Sequence, residues 1–148
     1  MQSSILTPAA ALVVWSLAVM LWMMVTRFRA LGAARIDLGK APPGGRGQDL
    51  EGRIPDEVQW KAHNYAHLME QPTLFYAAVL ILALSGANWV DVSLAWAYTL
   101  IRVVHSLWQG TVNRIPARFG LFLVSSLCLI VLAVRALLAT MASPLITL

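Results

Sequence analysis

Charged residues are scarce in this chain of 148 residues, because eleven lysines and arginines and seven aspartates and glutamates make up only 12% of it. Average soluble domains carry about 25% charged residues. Hydrophobic residues amount to 59% and come in long uninterrupted runs. One crossing of a bilayer takes about 20 apolar helical residues, so four crossings would fill more than half of the chain. The composition excludes an ordinary soluble domain and predicts an all-α integral membrane protein.

Cysteine is scarcer still, since Cys128 is the only one. It lies in the apolar run 121–133, forms no intrachain disulfide and, as a thiol in hydrocarbon, is expected to stay neutral and unreactive. The sequence also lacks Gly-x-Ser-x-Gly and paired catalytic carboxylates, and residues 111–118 contain no phosphate-binding glycine loop. The net charge of +4 is explained by orientation in a membrane. We therefore expect no nucleic-acid partner.

The apolar runs predict a four-helix membrane bundle that occupies residues 1–148 as one domain. The predicted helices span about 5–26, 58–86, 90–110 and 119–140, and a loop rich in glycine and proline fills about 27–57. Pro72 should bend or loosen the second helix. Asp91 is expected to cap the third helix, and Arg135 to extend towards the membrane surface from the fourth.

Basic residues predict the orientation of these helices. They are concentrated in the segment 27–61 and in the connector after the third helix, whereas the chain ends and the turn near Asn88 have none. Basic loops favour the cytoplasmic side, so both termini are expected on the non-cytoplasmic side. The sequence shows no organelle address, and we expect the cell (inner) membrane.

Polar side chains interrupt the second and third apolar runs at helical spacing. They are Asn64, His67 and Glu70 on the second helix, and Arg102, His105 and Gln109 on the third. A charged residue at the centre of a span costs about 2.5–3.5 kcal/mol on insertion scales, so its presence needs a reason. Because the two groups lie at similar depth on antiparallel helices, an ion pair between Glu70 and Arg102 is expected.

Three interpretations of these polar groups remain open from the residues alone. They could simply hold the bundle together. They could bind a metal ion, for which the ligands would be His63, His67, Glu70 and His105, although Arg102 would repel a cation. They could bind a zwitterionic peptide. In that case Arg102, Arg118 and one of Arg27 or Arg29 would face carboxylates, Asn113 and Gln109 would bond amides, and Glu70 would receive an amine.

The same stretches resemble the MAPEG family, the membrane-associated proteins of eicosanoid and glutathione metabolism. The resemblance is carried by Glu70-Gln71-Pro72 within residues 66–76, by Arg102-Val103-Val104-His105-Ser106, by Asn113-Arg114 and by Arg118-Phe119. It covers all four helices. It implies a homotrimer of four-helix protomers that binds glutathione, as co-substrate, between neighbouring subunits near the cytoplasmic side.

The resemblance also implies roles for individual residues. Arg118 falls on the family arginine near the glutathione sulfur and is the expected catalytic residue, since a guanidinium beside a thiol favours the thiolate. The other family positions fall on Glu70, Arg102 and His105, with Arg27 or Arg29 supplied by the neighbour. We further assign Asn64, His67, Gln109 and Asn113 to the glutathione-binding set. The implied activity is that of a transferase or peroxidase on lipophilic electrophiles or lipid hydroperoxides from the bilayer.

Three positions depart from the family pattern. Many family enzymes have Asn where this chain has His67, the eicosanoid enzymes have Tyr where it has Gln109, and prostaglandin synthase has Ser where it has Phe119. The phenol of that tyrosine is therefore missing beside the thiol. An alternative expectation is a non-catalytic trimer that binds lipid or a partner in the groove between subunits.

Overall fold

The computed structural model describes residues 2–142, which form a bundle of four helices. These are α1 (Gln2–Ala33), α2 (Asp56–Ser85), α3 (Trp89–Thr111) and α4 (Ile115–Ala142), with short 3-10 turns at Leu38–Lys40 and Gly47–Leu50 in the loop between α1 and α2. No strand occurs in this part of the chain. Successive helices run antiparallel, as the order of the contacts along them shows. The predicted all-α membrane bundle is confirmed.

Three of the described helices are long and apolar enough to cross a membrane: α1 from Ile5 onwards, α2 and α4. The helix α3 is not among them. It carries Arg102, His105 and Gln109 on the face that it buries against the other helices, and its outward side chains include Leu100, Val104 and Leu107. The polar groups of α3 therefore lie inside the protein, where other helices cover them.

Two helix ends differ from the sequence expectation. The first helix was predicted to end at about residue 26, but α1 continues through Arg27 and Arg29 to Ala33. The last was predicted to begin at about residue 119, but α4 begins at Ile115. Arginines indicate where an apolar run ends, not where helical hydrogen bonding ends. A proline such as Pro116 is tolerated in the first turn, where its missing N–H has no helical partner to lose.

The helix ends near the α2–α3 turn are fixed by specific side chains. Gly86 ends α2 in the left-handed conformation, with φ of +93°, which glycine adopts without strain. The side chain of Asn88 accepts hydrogen bonds from the backbone N–H groups of Val90 (2.9 Å) and Asp91 (3.3 Å), and the Asp91 carboxylate accepts one from the N–H of Asn88 (2.9 Å). Asn88 is therefore the N-cap of α3, and Asp91 completes a capping box instead of capping the helix alone.

The expected position of Arg135 at the membrane surface is also corrected. Its Nε donates to the buried carboxylate of Asp91, which joins α4 to the start of α3. A buried carboxylate needs such a partner, so Arg135 is held against α3. Pro72, expected to bend or loosen the second helix, is buried inside α2, and the helix continues past it to Ser85.

The core follows a heptad pattern on α1, where Ile5, Leu12 and Val19 are buried at seven-residue intervals. This spacing is typical of helices that cross a neighbour at a small angle. On the inner sides of α2 and α3, the rings of Phe75 and Tyr98 stack with their centroids 4.3 Å apart. Most outward side chains of α1 and α4 are apolar and exposed in the single chain, as expected for surfaces that lipid or another membrane protein covers.

Candidate functional site

A small cavity lies between α2, α3 and the start of α4, at the end of the bundle that carries the α1–α2 loop; we call this the loop end. Its volume is about 180 Å³, and it is lined by His67, His105, Ile115, Arg118, Phe119 and Phe122. The four residues from α4 occupy positions i, i+3, i+4 and i+7, which places them on one helix face. The cavity lining therefore combines two histidines and one arginine with two phenylalanines and one isoleucine.

The two histidines of the cavity come from different helices and stack on each other. The ring centroids of His67 and His105 are 5.2 Å apart, and the ring of Phe122 lies 5.4 Å from that of His67. His105 is buried, and its Nε2 has no hydrogen-bond partner among the described residues. A buried nitrogen without a partner costs free energy, so this atom favours a ligand or water in the cavity.

The arginine of the cavity, Arg118, is half-buried and held from one side. Its Nη1 donates to the side-chain oxygen of Asn113 at 2.7 Å. Asn113 lies in the turn between α3 and α4 with a positive φ of 52°, a conformation that asparagine adopts more readily than most residues. Since only Nη1 has a hydrogen-bond partner within residues 2–142, the other guanidinium N–H groups remain available for an anion.

The predicted ion pair between Glu70 and Arg102 does not form. Arg102 is completely buried, and its Nη2 donates to the backbone oxygen of His67 at 2.9 Å. The side chain of Glu70 is 68% exposed, and its Oε2 lies 3.9 Å from the Nε2 of His67, a contact that is an ion pair only when the imidazole is protonated. Helical spacing had placed both residues at the same depth, but the rotation of α2 turns the carboxylate outward while the guanidinium points inward.

Asn64 and Gln109 are buried beside the cavity and do not line it. The Nδ2 of Asn64 donates to the backbone oxygen of Ser106, and the indole Nε1 of Trp15 donates to the Ser106 side-chain oxygen, both at 3.0 Å. Ser106 thus joins three helices next to His105. The role of Trp15 was not predicted, because an apolar run gives no sign of which residue meets a polar partner.

The two candidate arginines of α1 differ in their surroundings. The Nη2 of Arg27 donates to the side-chain oxygen of Gln59 at 2.9 Å, and the loop backbone lies so close that a Cβ on Gly47 would come within 2.7 Å of its Nη1. Arg29 is exposed. Neither arginine lines the cavity of its own chain. Arg27 is held against the loop of its own chain, whereas the exposed Arg29 is free to contact another surface.

The four residues of the metal interpretation do not converge. His63 Nε2 lies 3.0 Å from a carboxylate oxygen of Glu51 in the loop, whereas His67 faces His105. No group of three or more histidine, cysteine, aspartate or glutamate side chains comes together within residues 2–142.

A second, apolar groove runs between α2 and α4 away from the cavity. Its volume is about 510 Å³, and alanines form much of its floor, among them Ala77, Ala78, Ala133 and Ala136. At the end nearer the cavity, the side-chain Nε2 of Gln71 donates to the Ser126 hydroxyl oxygen at 2.8 Å. Neither residue was predicted to bond, although both lie one helical turn beyond cavity residues.

Of the predicted site residues, the structure brings His67, His105, Arg118 and Asn113 together, and it places Arg102, Asn64 and Gln109 in the interior beside them.

Comparison with protein families gives a match to the MAPEG family over residues 5–138. Searches of curated proteins and of solved structures give no match. The family match extends over all four helices and includes every residue of the cavity. With this bundle and this match, the chain belongs to the MAPEG family.

Proposed function

We propose that this protein is a glutathione-dependent membrane transferase or peroxidase that acts on lipophilic electrophiles or lipid hydroperoxides. The single observation that carries the proposal is the cavity that Arg118 and His105 both line, where Arg118 has free N–H donors and the Nε2 of His105 has no hydrogen-bond partner among the described residues. Family membership supports a membrane protein of glutathione or eicosanoid metabolism. A cationic donor next to a site with apolar walls suits a thiolate that reacts with an apolar molecule.

In this proposal Arg118 is the catalytic residue, and it stabilises the glutathione thiolate by charge-assisted hydrogen bonds. With an aryl chloride, the thiolate sulfur forms a bond to carbon and chloride leaves. With a hydroperoxide, the sulfur attacks the terminal oxygen, the O–O bond breaks and the alcohol leaves after taking a proton. The first glutathione is then a sulfenic acid. The thiol of a second glutathione attacks its sulfur, which releases water and forms the disulfide.

The size of the cavity supports a site shared between subunits. Ligand pockets commonly hold about 300–1,000 Å³, whereas this cavity has about 180 Å³. One protomer therefore encloses only part of a tripeptide, and we propose that the neighbouring subunit of a homotrimer encloses the rest. Arg29, exposed at the same end of the bundle, is the arginine of α1 that is free to reach a neighbour.

The position of Glu70 supports the same arrangement. Its carboxylate is 68% exposed in the single chain, near the middle of a helix that is apolar enough to span the membrane. A charged group facing lipid at that depth is costly, so we propose that the adjoining subunit covers it. There it would accept a hydrogen bond from the amine of glutathione, next to His67.

The test is glutathione binding and turnover by the detergent-purified protein. We expect calorimetry to detect binding at millimolar glutathione, and we expect conjugation of a chlorinated nitrobenzene or reduction of a fatty-acid hydroperoxide. The absence of any glutathione binding by protein of native helical content would refute the proposal. Mass measurement of the intact complex tests the homotrimer separately.

A second function, a non-catalytic trimer that binds lipid, is favoured by the apolar groove between α2 and α4. It predicts co-purifying lipid without turnover of any electrophile. Detectable conjugation would argue against it.

We also propose that the protein lies in the cell (inner) membrane with both termini on the non-cytoplasmic side, because the basic loop between α1 and α2 favours the cytoplasm. A cysteine introduced at Gln48 in the exposed loop should resist a membrane-impermeant thiol reagent in intact cells and react after lysis. Labelling in intact cells would reverse the orientation.

A further inference from the structure

The loop between α1 and α2 forms a pocket of its own at the end of α1, away from the cavity. Its volume is about 480 Å³, and it is lined by residues from the last turns of α1 and from the loop up to Arg53. We call it the loop pocket. It shares no lining residue with the Arg118 cavity, so it is a separate feature of the molecule.

The charged residues in the lining of the loop pocket are mostly basic. Arg27, Arg46 and Arg53 line it, while Asp49 is the single acidic residue among the lining residues. The Asp49 carboxylate accepts a hydrogen bond from the backbone N–H of Arg46 at 2.7 Å, and its single negative charge is set against three arginines in the lining. Arg46 and Arg53 are exposed, and no ion pair in the described part of the chain includes either of them. Two arginines of the lining thus have no counter-ion within the described residues.

Another part of the lining is apolar. It consists of Phe28, Leu31, Ile36 and Leu38, and Phe28 is 60% exposed although only Thr26 and Arg27 separate it from the apolar run of α1. The pocket therefore begins where the membrane-spanning segment ends. A site lined by arginines together with an aromatic ring and aliphatic side chains, at this depth, can contact both the headgroup and the upper acyl chain of a lipid at the membrane surface.

We propose that the loop pocket binds the headgroup of an anionic phospholipid, in which Arg46 and Arg53 contact the phosphate and Phe28 and Leu38 contact the glycerol and the upper acyl chain. Arginine binds phosphate oxygens through two parallel N–H groups. A free phosphate ion would use the arginines but would leave the apolar part of the lining uncovered. This combination of lining residues is the reason why a lipid fits better than a soluble anion.

The experiment compares lipids with identical acyl chains, phosphatidylglycerol and phosphatidylcholine, offered in equal amounts to the detergent-purified protein. Native mass spectrometry then gives the ratio of bound anionic to zwitterionic lipid. We expect the wild type to prefer phosphatidylglycerol and the double variant Arg46→Gln/Arg53→Gln to lose that preference by a factor of roughly 10 to 30. Both side chains are exposed, so the variant should keep its helical content.

The matched control is Lys40→Gln/Arg114→Gln, which removes the same number of positive charges from the same end of the bundle without touching the pocket lining. It should keep the preference of the wild type. Equal retention of both lipids by the wild type, an unchanged preference in Arg46→Gln/Arg53→Gln, or an equal loss in the control would each overturn the proposal. Displacement of the lipid by millimolar inorganic phosphate or by glutathione would also overturn it, because the pocket would then be a soluble-anion site.

Discussion

The two ends of the bundle bury polar groups in opposite ways. Near the α2–α3 turn, the carboxylate of Asp91 is buried with partners on two sides, the guanidinium of Arg135 and the backbone N–H of Asn88. At the loop end, Arg102 Nε and Nη1 and the Nε2 of His105 are buried without a partner among the described residues. One end has completed its hydrogen bonds, and the other has left them open next to a cavity.

This difference separates buried polar groups that hold the fold together from those that are available to a ligand. A buried group that is fully bonded holds helices in register, whereas each unpartnered group costs about 1–3 kcal/mol. The loop end bears that cost around the cavity of His67, His105 and Arg118. We therefore interpret the Asp91 pair as structural and the open groups at the loop end as prepared for a polar ligand.

The largest effect on activity is expected from removing Arg118 at the loop end. We expect Arg118→Gln to lower kcat/KM for conjugation by roughly a hundredfold or more, because a charged donor to the thiolate is lost, while the helical content stays unchanged. The matched control is Arg114→Gln, an exposed arginine one turn earlier, which should retain activity. Equal loss in both variants would mean that only the local charge counts, which contradicts the role given to Arg118.

Removing Arg135 tests the opposite end. Arg135→Leu should destabilise the protein by about 2–4 kcal/mol, because it leaves the carboxylate of Asp91 buried without its cation. Denaturant unfolding in detergent measures this. Glutathione affinity of the folded fraction should not change. The double variant Asp91→Leu/Arg135→Leu should recover a large part of the stability, and a double variant as unstable as the single one would argue against the pair as the cause.

Replacing His105 tests whether a buried group without a hydrogen-bond partner serves ligand binding more than stability. His105→Leu removes a buried nitrogen that has no partner, which is favourable, but it also removes the ring that stacks on His67. Because the two effects oppose each other, stability should change by about 1 kcal/mol or less, while glutathione binding should weaken about fivefold to tenfold. Thr99→Val on the same helix is the control, since Thr99 donates to the backbone oxygen of Pro8 far from the cavity. It should cost similar stability and leave the affinity, measured by calorimetry, as in the wild type.

The smallest effect is expected in the loop, where charge pairs are exposed. Glu51→Gln removes the negative charge from the contact with His63, and both side chains are more than half exposed. Exposed pairs contribute about 0–1 kcal/mol, so unfolding and glutathione binding should both stay close to the wild type. A large loss of stability would show that the loop is part of the structural core.

Much of the fold could be predicted because apolar runs and breaks between them are local features. The four helices followed from such runs, and the polar positions at 67, 102 and 105 followed from interruptions of them. The end of α1 was missed because Arg27 and Arg29 lie outside the apolar run but still inside the helix. The sequence shows where hydrocarbon ends more clearly than where a helix ends.

The partners of the buried charges could not be predicted from spacing. Helical periodicity placed Glu70 and Arg102 at one depth, but the rotation of each helix about its axis decides which group it meets, and Arg102 donates to a backbone oxygen instead. For Asp91 and Arg135 a signal existed, since opposite charges lie at similar depth on successive antiparallel helices. It was overlooked because an arginine near a helix end is usually at the membrane surface.

The most direct test of the central claim is the ultraviolet difference spectrum of glutathione bound to the purified protein, with and without Arg118. The account predicts a thiolate band for the wild type and for Arg114→Gln at neutral pH, and loss of that band in Arg118→Gln at ligand concentrations that saturate it. A thiolate band of equal strength in Arg118→Gln would contradict the assignment of the cavity as the site where the sulfur is activated.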